Sequence, residues 1–159
     1  MGKVALLFVT TILILGCQGD DNRVLLENNK AVVLRAHSHV WGGGDMAVAD
    51  EIYATDFVGH WTGRPDTYGR EEFKAFLADA RRRFPDWNET VEQIVTEGDL
   101  VVTRFTSRGT FDGEPDHPSH GKEITMEEIA IHRIVDGEIV EQWTVADILS
   151  MRQQLGTLD

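Results

Sequence analysis

The spacing of apolar residues changes character near the middle of the chain. As far as Phe84 they recur every three or four positions, the helical period; from Trp87 onward they alternate every second position, the strand period. Leu25 to Trp41 reads as an amphipathic helix with Leu25, Val32, Val33, Ala36, Val40 and Trp41 on its apolar side. Gly42-Gly43-Gly44 ends it, and Asp45 can cap a second short helix running to Tyr53. Asp56 to Trp61 looks like a short strand and Gly63 to Gly69 a loop. Arg70 to Phe84 is a third helix, carrying Phe73, Phe76, Leu77 and Ala80 at helical spacing and stopped by Pro85. Arg81, Arg82 and Arg83 fall in its last turn, where cations complement the helix dipole; an anion site is the alternative reading.

The second half predicts four strands in meander. They are Asn88 to Glu97, Leu100 to Phe111 after a Gly98-Asp99 turn, and the two arms of a hairpin about Asp136-Gly137. A short helical tail starts near Ile148. Asp-Gly between alternating apolar runs is a strong hairpin signal, because both turn positions need positive φ. A two-residue turn also sets register. Counting outward, Ile134 faces Ile139, His132 faces Glu141, Ala130 faces Trp143, Glu128 faces Val145 and Met126 faces Asp147. One face of the hairpin then carries a histidine, three carboxylates and an indole among aliphatic residues, which suits the wall of a half-apolar pocket. Ile129, Ile131, Val140 and Thr144 fall on the opposite face, a possible homodimer surface. Helices grouped ahead of an antiparallel sheet give an α+β fold in which the helices cover one sheet face. A strongly bent sheet of this kind encloses a cone-shaped pocket.

At 159 residues the chain predicts one domain, from residue 24 to 159, behind a targeting segment. Residues 1–16 read as a signal peptide: Lys3 precedes an apolar run, Val4 to Leu15, too short to span a bilayer. The run ends at Cys17, the only cysteine, in a context that resembles the bacterial lipoprotein signal. Residues 17–23 would then be a lipidated cysteine and its tether, and the protein an exported, membrane-anchored one. The net charge of −12 argues against nucleic acid and against docking on anionic lipid, so the lipid would be the sole membrane contact.

Three stretches carry a family resemblance: residues 29–60, residues 68–87 and residues 121–156, the last ending in Asp136, Gly137, Glu141, Trp143, Asp147 and Gln154-Leu155-Gly156. Together they resemble the SnoaL-like polyketide cyclases, or ester cyclases, of the nuclear-transport-factor-2-like (NTF2-like) superfamily. The resemblance implies three N-terminal helices on a cone-shaped, strongly curved sheet. It implies a cofactor-free intramolecular aldol closure, with a pocket aspartate as acid and base. Asp147 matches that aspartate, and His132 approximately matches a pocket histidine.

The residues themselves leave alternatives open. Asp147 reads either as a partly desolvated acid/base or as the N-cap of the tail helix. His132 and Glu141 read either as a proton relay or as a cross-strand polar pair. Trp143 reads as a pocket wall, His60 and Trp61 as its rim, and Arg104 as facing either the pocket or solvent. His37 and His39 are too far apart around a helix to share a ligand. A metal site among His117, His120 and their acidic neighbours lacks a recognised spacing. No metal or cofactor is expected. The partner is a small, fairly apolar carbonyl compound; a non-catalytic ligand-binding lipoprotein of the same fold is the alternative.

Overall fold

The computed structural model describes residues 18–113 and 115–158. The segment assigned to the signal peptide and Cys17 lies outside them. Helix α1, Gln18–Arg35, continues into a π-helical turn, Ala36–Trp41. The residues expected as a tether are therefore the first turns of α1. Helix α2, Met46–Ile52, starts where Asp45 caps the amides of Ala47 and Val48 at 3.0 and 3.1 Å. Strand β1, Tyr53–Trp61, is longer than its sequence signal, and the following loop contains a two-residue strand β2, Thr67–Tyr68. Helix α3 spans Arg70–Arg83. Strands β3 (Asn88–Glu97), β4 (Leu100–Thr110), β5 (Glu123–Val135) and β6 (Glu138–Ala146) follow, then helix α4, Ile148–Leu155.

The fold is α+β, with an open, curved six-stranded sheet in the order β2-β1-β6-β5-β4-β3. It is antiparallel except where β1 runs parallel to β6, a pairing the meander pattern did not foretell. Helices α1 to α3 lie on the concave face. There Trp41, Trp61, Phe73 and Phe76 join edge to face or stacked, with centroids 5.4–6.2 Å apart. Tyr53 and Phe57 extend this seam from β1, each against Phe73. A second cluster of Phe84, Ile124 and Leu155 seats α4. The side-chain amide of Gln154 brackets the backbone of Thr125, accepting from its N–H and donating to its C=O, both at 2.8 Å.

The hairpin turn is as read: Asp136 and Gly137 have φ of 51° and 84°, and Val135 pairs with Glu138 and Ile134 with Ile139. Beyond that the register shifts. Arg133 pairs with Glu141, His132 with Gln142, Ile131 with Trp143 and Ala130 with Thr144. One extra residue, Val140, stands in β6 without a counterpart, and a one-residue slip exchanges the two faces of a strand. Strand β5 keeps its expected inner face, with Met126, Glu128, Ala130, His132 and Ile134 buried. On β6, Gln142 and Thr144 turn inward, while Glu141 and Trp143 turn to the convex face. Thr144 accordingly leaves the proposed dimer surface, where Ile129 and Ile131 remain 49% and 36% exposed.

Deleting Val140 removes the bulge and would drive Glu141 and Trp143 against the concave core. The deletion is expected to cost about 4 kcal/mol or more, the scale of burying an unpaired charge with overpacking. Urea unfolding read by tryptophan fluorescence measures this, and an unchanged midpoint would show that the bulge does not set the register.

Candidate functional site

Between the helices and the concave face lies a cavity of about 490 Å³. Its wall is aromatic, including Trp41, Trp61, Phe76, Phe84, Trp87 and Phe105. Three titratable groups line its inner part: His37 from the π-helical turn, Glu89 from β3 and Glu128 from β5.

The π-helical turn positions the histidine. Its wider hydrogen bonding, seen in the Gly42 N–H to His37 C=O bond at 3.0 Å, leaves His37 buried and His39 exposed. His37 Nδ1 lies 2.6 Å from Glu89 Oε2, and its Nε2 lies 3.1 Å from Thr103 Oγ1. Trp87 Nε1 donates to the other Glu89 oxygen at 3.1 Å. Burial raises Glu89 well above the usual carboxylate range, against a smaller lowering by the Trp87 hydrogen bond. Burial likewise lowers His37 to about 4. Both members are then neutral at pH 7. The Glu89 carboxyl O–H donates to Nδ1, and the Nε2–H donates to Thr103. Drawn as an ion pair, the same contact would set two charges in an apolar wall, which burial disfavours.

Glu128 is the second acid. Ser107 Oγ donates to its Oε1 at 2.5 Å. Burial raises it first, the nearby Glu89 raises it further, and the Ser107 bond opposes both. Its Oε2 has no hydrogen-bond partner among the described residues, so this carboxyl has an oxygen to offer a ligand. Gln142 also faces the cavity. Its Nε2 donates to Thr144 at 2.9 Å while its buried Oε1 is unpartnered.

Sequence reasoning placed few of these groups. Trp61 does line the cavity, its Nε1–H bonded to Thr67 Oγ1 at 2.9 Å. Asp147 does not: it is exposed and caps α4, accepting from the Ser150 amide at 2.9 Å. His132 lies fully buried behind the cavity, 5.8 Å centroid to centroid from His37 and lowered to about 3 by burial. Its facing residue is Gln142, so the expected relay with Glu141 is not formed. Glu141, Trp143 and His60 come together on the convex face. His60 sits 2.9 Å from Asp66 and 3.2 Å from Glu141 and stacks on Trp143 at 5.6 Å. Arg104 points outward to Gln93. Among the described residues no group of three or more His, Cys, Asp or Glu side chains is placed to hold a metal ion. His117 instead accepts from the Ser119 amide.

Helices packed on an open, curved, mostly antiparallel sheet place the chain among the NTF2 and ketosteroid isomerase-like folds. The model of the SnoaL-like polyketide cyclase family matches residues 31–155, and the chain belongs to that family. IdmH of Streptomyces antibioticus, a candidate polyketide cyclase, is similar at 32% identity and a TM-score of 0.72, over 80% of this chain and 98% of that one. A candidate SnoaL-like polyketide cyclase from Jannaschia sp. CCS1 is similar at 25% identity and a TM-score of 0.75, over 84% and 94%. A candidate polyketide cyclase from Bacillus cereus ATCC 10987 is similar at 26% and 0.69, over 83% of each chain. A comparison with curated proteins returned no match.

The raised acid has a consequence for stability. Above the ordinary carboxylate pKa the unfolded chain releases the Glu128 proton while the folded chain keeps it. The stabilisation this proton represents is complete below that pKa and is lost as pH rises through the raised one. Relative to Glu128→Gln, the wild type should therefore lose unfolding free energy as pH rises from about 4.5 toward the raised value. Parallel urea titrations across that range check this, and a constant difference would mean Glu128 titrates normally.

Proposed function

We propose that the protein catalyses cofactor-free acid/base chemistry on a small, largely apolar carbonyl compound, with Glu128 as the group that moves the proton. The observation carrying this is the unspent Oε2 of a buried, raised carboxyl facing an aromatic cavity. Both oxygens of Glu89 and both nitrogens of His37 are already hydrogen-bonded. Two interacting acids in an apolar site ionise one at a time, so one can serve as base while the other stays an acid. As carboxylate, Glu128 takes a proton from the carbon beside the carbonyl. The resulting enolate attacks a second carbonyl of the same molecule, forming a C–C bond. The alkoxide so produced takes a proton, and Glu128 can return the one it removed. The net change is an isomerisation that needs no oxidant or metal. The Gln142 amide, whose Nε2 carries a second N–H beside the one given to Thr144, faces the same cavity, and the neutral His37–Glu89 pair holds the site's protonation. Membership of the SnoaL-like family and the likeness to IdmH support the cyclisation form of this chemistry.

Deuterium uptake from heavy water by an enolisable aromatic β-diketone, followed by mass spectrometry, tests the step directly. The wild type should accelerate exchange, Glu128→Gln should lose about 10²-fold or more, and Asp147→Asn should retain the wild-type rate. Exchange that survives in Glu128→Gln but is lost in Asp147→Asn would return the role to the capping aspartate.

The reading includes export and anchoring through Cys17, supported by the Lys3, apolar run and cysteine order of the N-terminus. Metabolic labelling with a radioactive fatty acid should mark the wild type in a bacterial host and leave Cys17→Ser unmarked. Equal labelling of both would exclude lipidation at this residue. The exposed Ile129 and Ile131 support self-association through the convex face.

A further inference from the structure

The cavity wall carries the sign of charge opposite to that of the chain. In a protein of net charge −12, Arg64, Arg83 and Arg152 all line it. Among the described residues Asp79 is the only acid in the lining besides the two raised glutamates, and it is spent on Arg82 and Arg83 at 2.6 and 2.9 Å.

Arg64, in the loop between β1 and β2, differs from the other two. Its guanidinium carbon sits 3.4 Å from the ring centroid of Phe76 and 5.7 Å from that of Trp61. Stacking of this kind covers the face of the guanidinium and leaves its N–H edge for hydrogen bonds. Yet Nη1 is buried and has no partner. The nearest acids do not supply one. Glu72 accepts from the Tyr68 amide, and Asp79 is held by its own arginines. A cation in the lining whose donors the surrounding side chains leave unspent can pair through its exposed edge with an anion that enters the cavity.

We infer that Arg64 is the anion-recognition residue of this cavity and that its ligand is an amphipathic organic anion. The ligand's aromatic or polyene body lies against the rings of the wall. A carboxylate, sulfonate or comparable oxyanion pairs with the in-plane N–H edge of Arg64. The inference rests on the acid/base reading above for the ligand's other polar group, the carbonyl at Glu128. Arg83 and Arg152 add to the local positive potential that draws an anion toward the site in an otherwise acidic protein.

Two fluorescent probes with one skeleton separate charge from apolar fit: anilinonaphthalene sulfonate and its uncharged parent, phenylnaphthylamine. Titrated with the full chain, the sulfonate should bind about tenfold or more tightly than the parent. Arg64→Met should remove that preference while leaving the parent's affinity unchanged, and Arg64→Lys should restore part of it. Ala80→Trp, which fills the cavity, should abolish binding of both probes; circular dichroism confirms that each variant is folded. Equal affinity for the two probes overturns the inference. So does a sulfonate preference that persists in Arg64→Met, or binding that survives Ala80→Trp. A sulfonate preference absent from the wild type, or kept in Arg64→Met, refutes the role of Arg64, whereas undiminished deuterium exchange in Glu128→Gln refutes the acid/base assignment.

Discussion

The contact between His37 and Glu89 ties the helical layer to the sheet, and the site depends on it. A glutamate on the concave face of a strand is costly to bury, and so is a histidine on the helix above it. Placed 2.6 Å apart in neutral form, each satisfies the other. The tryptophan two residues before Glu89 and the threonine across on β4 complete the set. The π-helical turn is what makes the contact available, since it delivers His37 to the sheet while Val40 and Trp41 still reach the aromatic core. A polar pair so satisfied can stand in an apolar wall, beside a Glu128 whose own burial raises it.

Much of the fold was legible because its elements carry strong local signals. The Asp45 cap, the Asp136-Gly137 turn and the switch from helical to alternating period all hold. The inner face of β5 also held, and Glu128 was on it as counted. The inner face of β6 was inverted, and the cause is not local. Strand β6 pairs with β5 on one side and, in parallel, with β1 on the other. Both pairings shift register at the same level: next to Ile139 and Glu141 in β5–β6, and between Tyr53 and Val58 in β1–β6. No count outward from a turn can reveal a bulge shared with a strand more than eighty residues earlier. Trp143, Glu141 and His60, read from the sequence as a pocket wall, a partner of His132 and a pocket rim, meet one another on the convex side instead.

The rest of the site was hidden for a different reason. Strand β3 reads as a polar edge, with Asn88, Glu89, Thr90, Glu92 and Gln93 broken only by Val91, and nothing within it shows that a helix covers one of its three glutamates. His37 was set aside because two histidines two apart on a regular α-helix point away from each other. They do, and one of them is the buried partner of Glu89. The visible signal was Glu128 itself, a carboxylate in the buried set of an alternating strand, where an acid has to be either paired or neutral. Asp147 drew attention instead because it ends a strand, a position that serves a helix cap equally well.

Neutral acids and a cationic wall belong to one electrostatic scheme. An anion entering an apolar cavity with two ionised glutamates would meet like charges at short range in a low dielectric. With Glu89 protonated onto His37 and Glu128 also neutral at rest, the only full charges in the lining are the arginines and the already paired Asp79. Burial that makes Glu128 a stronger base once ionised thus also makes the cavity receptive to a negatively charged ligand while it is not. An oxyanion held at Arg64 would in turn add a negative charge to the same cavity lining and favour the protonated form of Glu128. A raised affinity makes the Glu128 carboxylate the stronger base and at the same time the scarcer form near neutrality, so the two effects oppose each other in the rate of proton removal.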